Sequence, residues 1–214
     1  MTINKAEIVT CPCCGADKEL LSLISDTPFL PICWSDGRQI TPFLPEVSPV
    51  QKCPQCGKYF LHYKSHSRVG DRVSFEIGML SYEEWLEAYA QFSLDKSAND
   101  LDRWIINTGL ILAFNDRYNR GFTPLCYQEI TVPPQDAQEY MVKVINEFIR
   151  SADWNGNSNL LLKSELYRET GDFANCEQTL HSIDTAGLDD DELTVFNMMR
   201  QKVDAKDRLV FKIS

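Results

Sequence analysis

Apolar residues recur along this chain with two different periods, and the change falls near residue 80. From there onward they return every three or four positions, as on one face of an α-helix. Tyr82, Trp85, Leu86, Tyr89 and Phe92 make the first stripe. Ser81 and Glu84 stand at its start in capping-box spacing, which predicts a helix from there to about Leu94. A second helix fits Asn99 to Tyr118, with Leu101, Trp104, Ile105, Thr108, Ile111 and Leu112 inward and Gly121 as its stop. Phe122 to Pro134 reads as a loop. A third helix, Gln135 to Ala152, carries Tyr140, Met141, Val144, Ile145, Phe148 and Ile149 on one side. A last one, Asp190 to about Ala205, places Leu193, Phe196, Met199 and Val203 inward. The acidic run Asp189 to Glu192 before it suits a helix N-terminus, where the macrodipole favours negative charge. Arg208 to Ser214 has no clear period.

Before residue 80 the apolar runs are short and broken. Pro28, Pro31, Pro42, Pro45 and Pro49 exclude a long helix between Ala16 and Lys52. Ser35-Asp36-Gly37-Arg38 is a tight-turn signal between Pro31-Ile32-Cys33-Trp34 and Gln39-Ile40-Thr41, which predicts a short hairpin. The two Pro-Phe-Leu-Pro stretches at 28 to 31 and 42 to 45 are too short to count as a repeat. Lys58 to Leu61 reads as a strand, and Ser65 to Gly78 as a connector.

Composition is that of an ordinary globular chain, with 43% hydrophobic and 24% charged residues among 214. What changes the picture is the cysteines. Cys11-Pro12-Cys13-Cys14-Gly15 and Cys53-Pro54-Gln55-Cys56-Gly57 present two Cys-x-x-Cys pairs. Four thiolates from two such pairs, Cys11, Cys14, Cys53 and Cys56, satisfy a tetrahedral Zn²⁺ and leave no open position for chemistry. The N-terminal residues hold no apolar core of signal length, and Asn107, Thr108 and Gly109 interrupt the run from Trp104 to Phe114. A cytoplasmic chain without a membrane span is therefore predicted, and a reducing compartment keeps thiols free for metal. The predicted layout is α+β: a zinc ribbon over residues 1 to 70, in which metal replaces much of a core, then an acidic helical domain over 79 to 214.

Charge narrows the partners. Residues 1 to 70 carry seven Lys/Arg and six Asp/Glu, whereas 71 to 214 carry 14 and 25. That balance argues against a phosphate backbone as ligand, since such binding draws on lysine and arginine. The aromatic stripe of Tyr82 to Phe92 is interleaved with Glu83, Glu84 and Glu87, so it reads as core rather than as a base-stacking platform. Cys13 and Cys33 are spare thiols near the site, each an alternate ligand in principle and each more readily read as a spectator. Cys126 and Cys176 read as small buried residues. His62 and His66 share a face at four-residue spacing, but the glutamate of a metalloprotease helix is missing from His-Tyr-Lys-Ser-His. His181 is alone.

Leu166-Tyr167-Arg168-Glu169-Thr170-Gly171-Asp172-Phe173, followed by Cys176 and Leu180, resembles the turn of a tetratricopeptide-type helix pair over Asn159 to Asp184. Taken with the two cysteine knuckles and Trp34-Ser35-Asp36-Gly37, the layout resembles a group of uncharacterised bacterial proteins. These carry an N-terminal zinc ribbon and a C-terminal tetratricopeptide-like helix pair. The resemblance implies zinc on Cys11, Cys14, Cys53 and Cys56, with Cys13 as an additional thiol, and implies no activity. Without a phosphate loop or a nucleophile matched to a base, the expectation is a non-catalytic protein-interaction or adaptor protein with an unidentified protein partner. Nucleic-acid binding through the ribbon and thiol-based redox or metal regulation are the alternatives.

Overall fold

The computed structural model describes residues 5–22, 31–41, 47–123, 126–127 and 131–213. The strands are β1 (Glu7–Thr10), β2 (Asp17–Leu20), β3 (Ile32–Cys33), β4 (Gln39–Ile40), β5 (Val50–Lys52), β6 (Tyr59–Leu61), β7 (His66–Val69), β8 (Phe122–Thr123) and β9 (Cys126–Tyr127). The helices are α1 (Tyr82–Ser93), α2 (Asp100–Phe114), α3 (Gln135–Ser151), α4 (Asn157–Thr170), α5 (Phe173–His181) and α6 (Asp190–Asp204). Small strands followed by helices make this an α+β protein. No helix among the described residues is long and apolar enough to cross a membrane.

The chain divides into two compact units, Met1–Leu30 with Thr41–Ala113, and Pro31–Ile40 with Phe114–Ser214. This differs from a boundary near residue 70. The hairpin at 31 to 40 belongs with the C-terminal helices, and α1 and most of α2 belong with the cysteine-bearing strands.

In the first unit each cysteine pair closes a β-hairpin. β1 pairs antiparallel with β2, from Glu7 opposite Leu20 to Thr10 opposite Asp17. β5 pairs with β6, from Val50 opposite Leu61 to Lys52 opposite Tyr59. Val9, Cys11, Leu20, Cys53 and Phe60 pack together beneath the two turns. The segment expected to be a plain connector instead continues the sheet. β7 pairs along the free side of β1, and the chain beyond it stays bonded through Ala6 N–H to Arg72 O at 2.7 Å and Leu21 N–H to Glu76 O at 2.7 Å. Gly78, at φ +61°, has no room for a side chain because Gln51 and Leu20 lie within 3 Å of where a Cβ would be.

α1 starts at the expected capping box, with Ser81 Oγ accepting from Glu84 N–H and Glu84 accepting from Ser81 N–H. It buries Tyr82, Trp85 and Ala88. The helix attaches to the strands through Gln91, whose amide side chain accepts from Tyr59 N–H at 3.0 Å and donates to Tyr59 O at 2.7 Å. It thus stands in for a neighbouring strand at that point. Lys52 reaches Glu84 and Glu87, and Tyr59 Oη donates to Glu87. Trp85 also lies against Gly109 of α2, where a Cβ would sit 2.1 Å from the indole.

α2 is rotated from the expected stripe. Ile106, Leu110, Ile111 and Phe114 are buried, while Leu101 is 54% exposed. The cause is Asp102, which is buried and accepts from Tyr63 Oη, Lys64 Nζ and Asn99 N–H. That polar anchor fixes the inward side of the first turn. Where the sequence predicts helix up to Tyr118, α2 gives way at Asn115–Asn119 to a π-helical turn, ended by Gly121 at φ +59°.

In the second unit, β3 and β4 form the expected hairpin around a turn in which Trp34 N–H donates to Arg38 O and Gly37 has φ +84°. The ambiguous C-terminal segment pairs with β3, as Ile213 N–H donates to Cys33 O and Ser35 N–H to Phe211 O. α3 buries Met141, Val144, Ile145, Phe148 and Ile149, with Tyr140 40% exposed. Trp154 caps its end by donating Nε1–H to Ile149 O. α4 and α5 form a hairpin turned by Gly171 at φ +83°, and Asp172 caps α5 by accepting from Asn175 N–H. Leu161, Cys176, Leu180, Ile183, Phe196, Met199 and Phe211 form the core shared by α4, α5 and α6. At α6 the acidic run does cap the helix, through Asp189 and Glu192, while Leu193 stays 38% exposed instead of turning inward. Within the expected loop before α3, β8 pairs with β9. Of the two Pro-Phe-Leu-Pro stretches, residues 28 to 30 and 42 to 45 lie outside the described residues.

Candidate metal centre

Two turns of the same construction carry the four cysteines. In the first, Gly15 N–H donates to Cys11 O and Cys11 N–H to Ala16 O. In the second, Gly57 N–H donates to Cys53 O and Cys53 N–H to Lys58 O. Gly15 and Gly57 take φ of +75° and +71°, values that a residue without a Cβ adopts at little cost. Each turn therefore aims its two sulfurs to the same side.

The Sγ atoms of Cys11, Cys14, Cys53 and Cys56 all lie within 4.8 Å of one another. Cys11 to Cys56 is 3.9 Å and Cys14 to Cys53 is 3.5 Å. A tetrahedron of sulfurs around a metal at about 2.3 Å has edges of about 3.8 Å, so the set fits an ion at its centre. Cys11 and Cys53 are buried, and Cys14 and Cys56 face solvent. Backbone N–H groups point at the buried pair: Cys13 N–H to Cys11 Sγ and Cys56 N–H to Cys53 Sγ, both at 3.4 Å. Such donors stabilise thiolate charge.

Electrostatics within the set also points to a cation. Burial works against ionising Cys53, yet the N–H groups of Cys56 and Gln55 and the neighbouring thiols bring it down to about 6. The backbone at Lys58 favours ionisation of Cys56, but desolvation and the thiols of Cys53, Cys14 and Cys11 push it up to about 12. Four sulfurs this close do not all ionise beside one another. A divalent ion bound at the centre would reverse that repulsion and hold all four as thiolates.

The other candidates separate from this group. Cys13 is exposed, and its thiol engages Lys58, whose ammonium it holds above the ordinary lysine value. Cys33 belongs to β3 in the second unit, half-buried, with Sγ 3.8 Å from Pro31 O. Cys176 is fully buried in the second core, and the Cys126 side chain lies outside the described residues. His62 sits in a 3-10 turn with Nε2 3.2 Å from Glu7 Oε1, and His66 is exposed at the start of β7. Neither joins a metal-ligating group among the described residues. His181 is bonded through Nδ1 to Glu177 O.

Sequence reasoning missed a second concentration of chemistry, in the second unit. Asp36, Arg38, Asn115, Arg120, Glu165, Arg168 and Glu169 are all buried. No motif joins them, and only the Glu165, Arg168 and Glu169 spacing on one helix was there to be read. Comparison with protein-family models, with curated proteins and with solved structures gave no match.

Proposed function

We propose that Cys11, Cys14, Cys53 and Cys56 hold a structural Zn²⁺, and that the protein is a non-catalytic protein-interaction or adaptor protein of the cytoplasm. The observation that carries this reading is the closed set of four sulfurs within 4.8 Å on two matching turns. Soft thiolates in tetrahedral reach favour zinc over the oxygen-seeking cations, and four protein ligands leave no position for a substrate.

Support for a protein partner comes from the surface of the same unit. Phe75 is 76% exposed and Val69 71%. Phe75 lines an open groove of about 810 Å³ together with Cys53, Pro54, Lys52 and Lys18. An aromatic side chain held in water beside a rigid turn is a natural anchor for association. Lys18, Lys52, Lys64, Arg68 and Arg72 are meanwhile each paired with a carboxylate. That pre-neutralisation disfavours the phosphate contacts on which nucleic-acid binding depends.

Metal analysis of protein purified without added metal tests the first half, with one zinc per chain expected. Chelation should then collapse the amide dispersion of residues 5 to 22 and 47 to 69. For the second half, partners recovered from native cells with the zinc-loaded protein are compared with those of Phe75→Asp. A stoichiometric partner lost on substitution is expected; none in either sample defeats the adaptor reading and leaves the zinc site standing.

A further inference from the structure

The buried charges of the second unit converge on the Trp34–Arg38 turn. Asp36 Oδ2 accepts from Arg120 Nη1 at 2.5 Å and from Asn115 Nδ2 at 2.9 Å, while its Oδ1 accepts from Arg38 N–H. Ser35 Oγ donates to Glu165 Oε1 at 2.6 Å and accepts from Phe211 N–H. Glu165 also takes two bonds from Arg168, at 2.8 and 2.5 Å. Asp116 pairs with both Arg38 and Arg120. The π-helical turn brings Asn115, Asp116 and Arg120 to one side, as the extra residue in such a turn often does at a site of special chemistry.

Glu169 differs from the other acids. Among the described residues only Asn115 Nδ2 donates to it, at Oε2 and 3.1 Å, and that nitrogen also serves Asp36. Its Oε1 is buried and, among the same residues, has no hydrogen-bond partner, in a residue 8% exposed. Among the described residues the cluster holds four carboxyl groups, on Asp36, Asp116, Glu165 and Glu169, against three guanidinium groups, on Arg38, Arg120 and Arg168. Among the described residues four ion pairs join these arginines to Asp36, Asp116 and Glu165, and none reaches Glu169. A buried carboxylate with one neutral donor is poorly solvated, and removing its charge by protonation relieves that.

We propose that Glu169 carries a proton in the folded protein and that its ionisation releases the Trp34–Arg38 turn, making the cluster a latch that opens as pH rises. The groups acting on it are Asp36 from the turn, Asn115 from the π turn, and Glu165 and Arg168 from α4; Arg120 pairs with Asp36 and Asp116, and Arg38 with Asp116. The C-terminal segment adds Asp207, bonded to Lys202 of α6, and Arg208, whose Nε donates to Glu169 O. The Cys176 thiol on α5 lies near Glu165 and Arg168. Burial first, then the charges of Glu165 and Asp36, hold the Glu169 carboxyl well above the ordinary carboxylate value. Proton loss to solvent places a fourth negative charge beside Asp36, which shares Asn115 with it. The contact that weakens is the one that clasps the turn.

The sign follows from linkage. A group whose proton is held more tightly in the folded state gives stability that is complete below the ordinary carboxylate value of 4.5. That stability declines as pH rises toward the folded value.

The test is an NMR titration of the zinc-loaded full chain carrying ¹³C-labelled glutamate. The Glu169 carboxyl carbon is expected to titrate well above the exposed glutamates. The amide signals of Trp34, Gly37 and Arg38 should move with the same midpoint. In Glu169→Gln, a neutral isostere, those amides should hold their folded positions over the whole range. Asp36→Asn, with one negative neighbour fewer, should lower the Glu169 midpoint by about one pH unit. Wild-type protein alone decides if a variant does not fold. A Glu169 carbon that titrates with the surface glutamates overturns the proposal, and so does a high midpoint that leaves the turn amides still.

Discussion

Cys13 and Cys14 are neighbours in sequence, yet one stands outside the four-sulfur cluster and the other belongs to it. The turn from Cys11 to Gly15 brings the Cys11 and Cys14 sulfurs together, whereas the Cys13 thiol meets Lys58. Cys13→Ser is therefore expected to retain one metal per chain, measured by atomic emission on desalted protein. Cys53→Ser should lose it, because it removes a buried sulfur that receives a backbone N–H. This much was legible in the residues themselves, since two ligands three apart on a glycine-ended turn need nothing distant to define them. Gly109 was not legible. It reads as an interruption in an apolar helix, and only the Trp85 ring against it explains the missing side chain. Gly109→Ala should destabilise by about 1–3 kcal/mol in denaturant melts, although alanine is the better helix former, since overpacking outweighs propensity here.

At the scale of elements, starts and stops were written locally and facing directions were not. The capping boxes at Ser81 and Asp189 and the Gly171 turn lie where the sequence put them, because each is satisfied within four residues. The rotation of α2 depended on Tyr63 and Lys64, nearly forty residues upstream, whose bonds draw Asp102 inward. Burial alone would raise the Asp102 carboxyl, but Lys64, Tyr63 and the Asn99 amide together hold it below its ordinary value of 3.8. A depressed carboxyl gives stability that is present above 3.8 and lost as pH falls through the folded value. Asp102→Asn should thus cost about 1–3 kcal/mol at neutral pH in thermal melts and markedly less near pH 2. An equal loss at both would show that packing, not charge, holds α2.

For the whole molecule, the proposed zinc would compete with protons for the same sulfurs. Zinc affinity is expected to fall steeply as pH drops below about 6, where Cys53 takes up a proton. Competition with a chromogenic chelator across that range measures it, and a flat profile would exclude thiolate ligation. Loss of metal should unfold the cysteine-bearing strands, because Cys11 and Cys53 are themselves members of the small core with Val9, Leu20 and Phe60.

The sequence by itself determined the four cysteines that cluster, the α+β order of elements and the helix caps, all products of short spacings along the backbone. The tertiary structure alone decided which elements share a unit. Ser35 meets Glu165 across 130 residues and Asp36 meets Arg120 across 84, so the hairpin joins the C-terminal helices. Gln91 reaches the backbone of Tyr59 across 32, so α1 joins the strands. Each choice rests on a polar group finding its partner in a buried place. A short spacing limits the candidates to a few, whereas a long one leaves them open until the chain has packed.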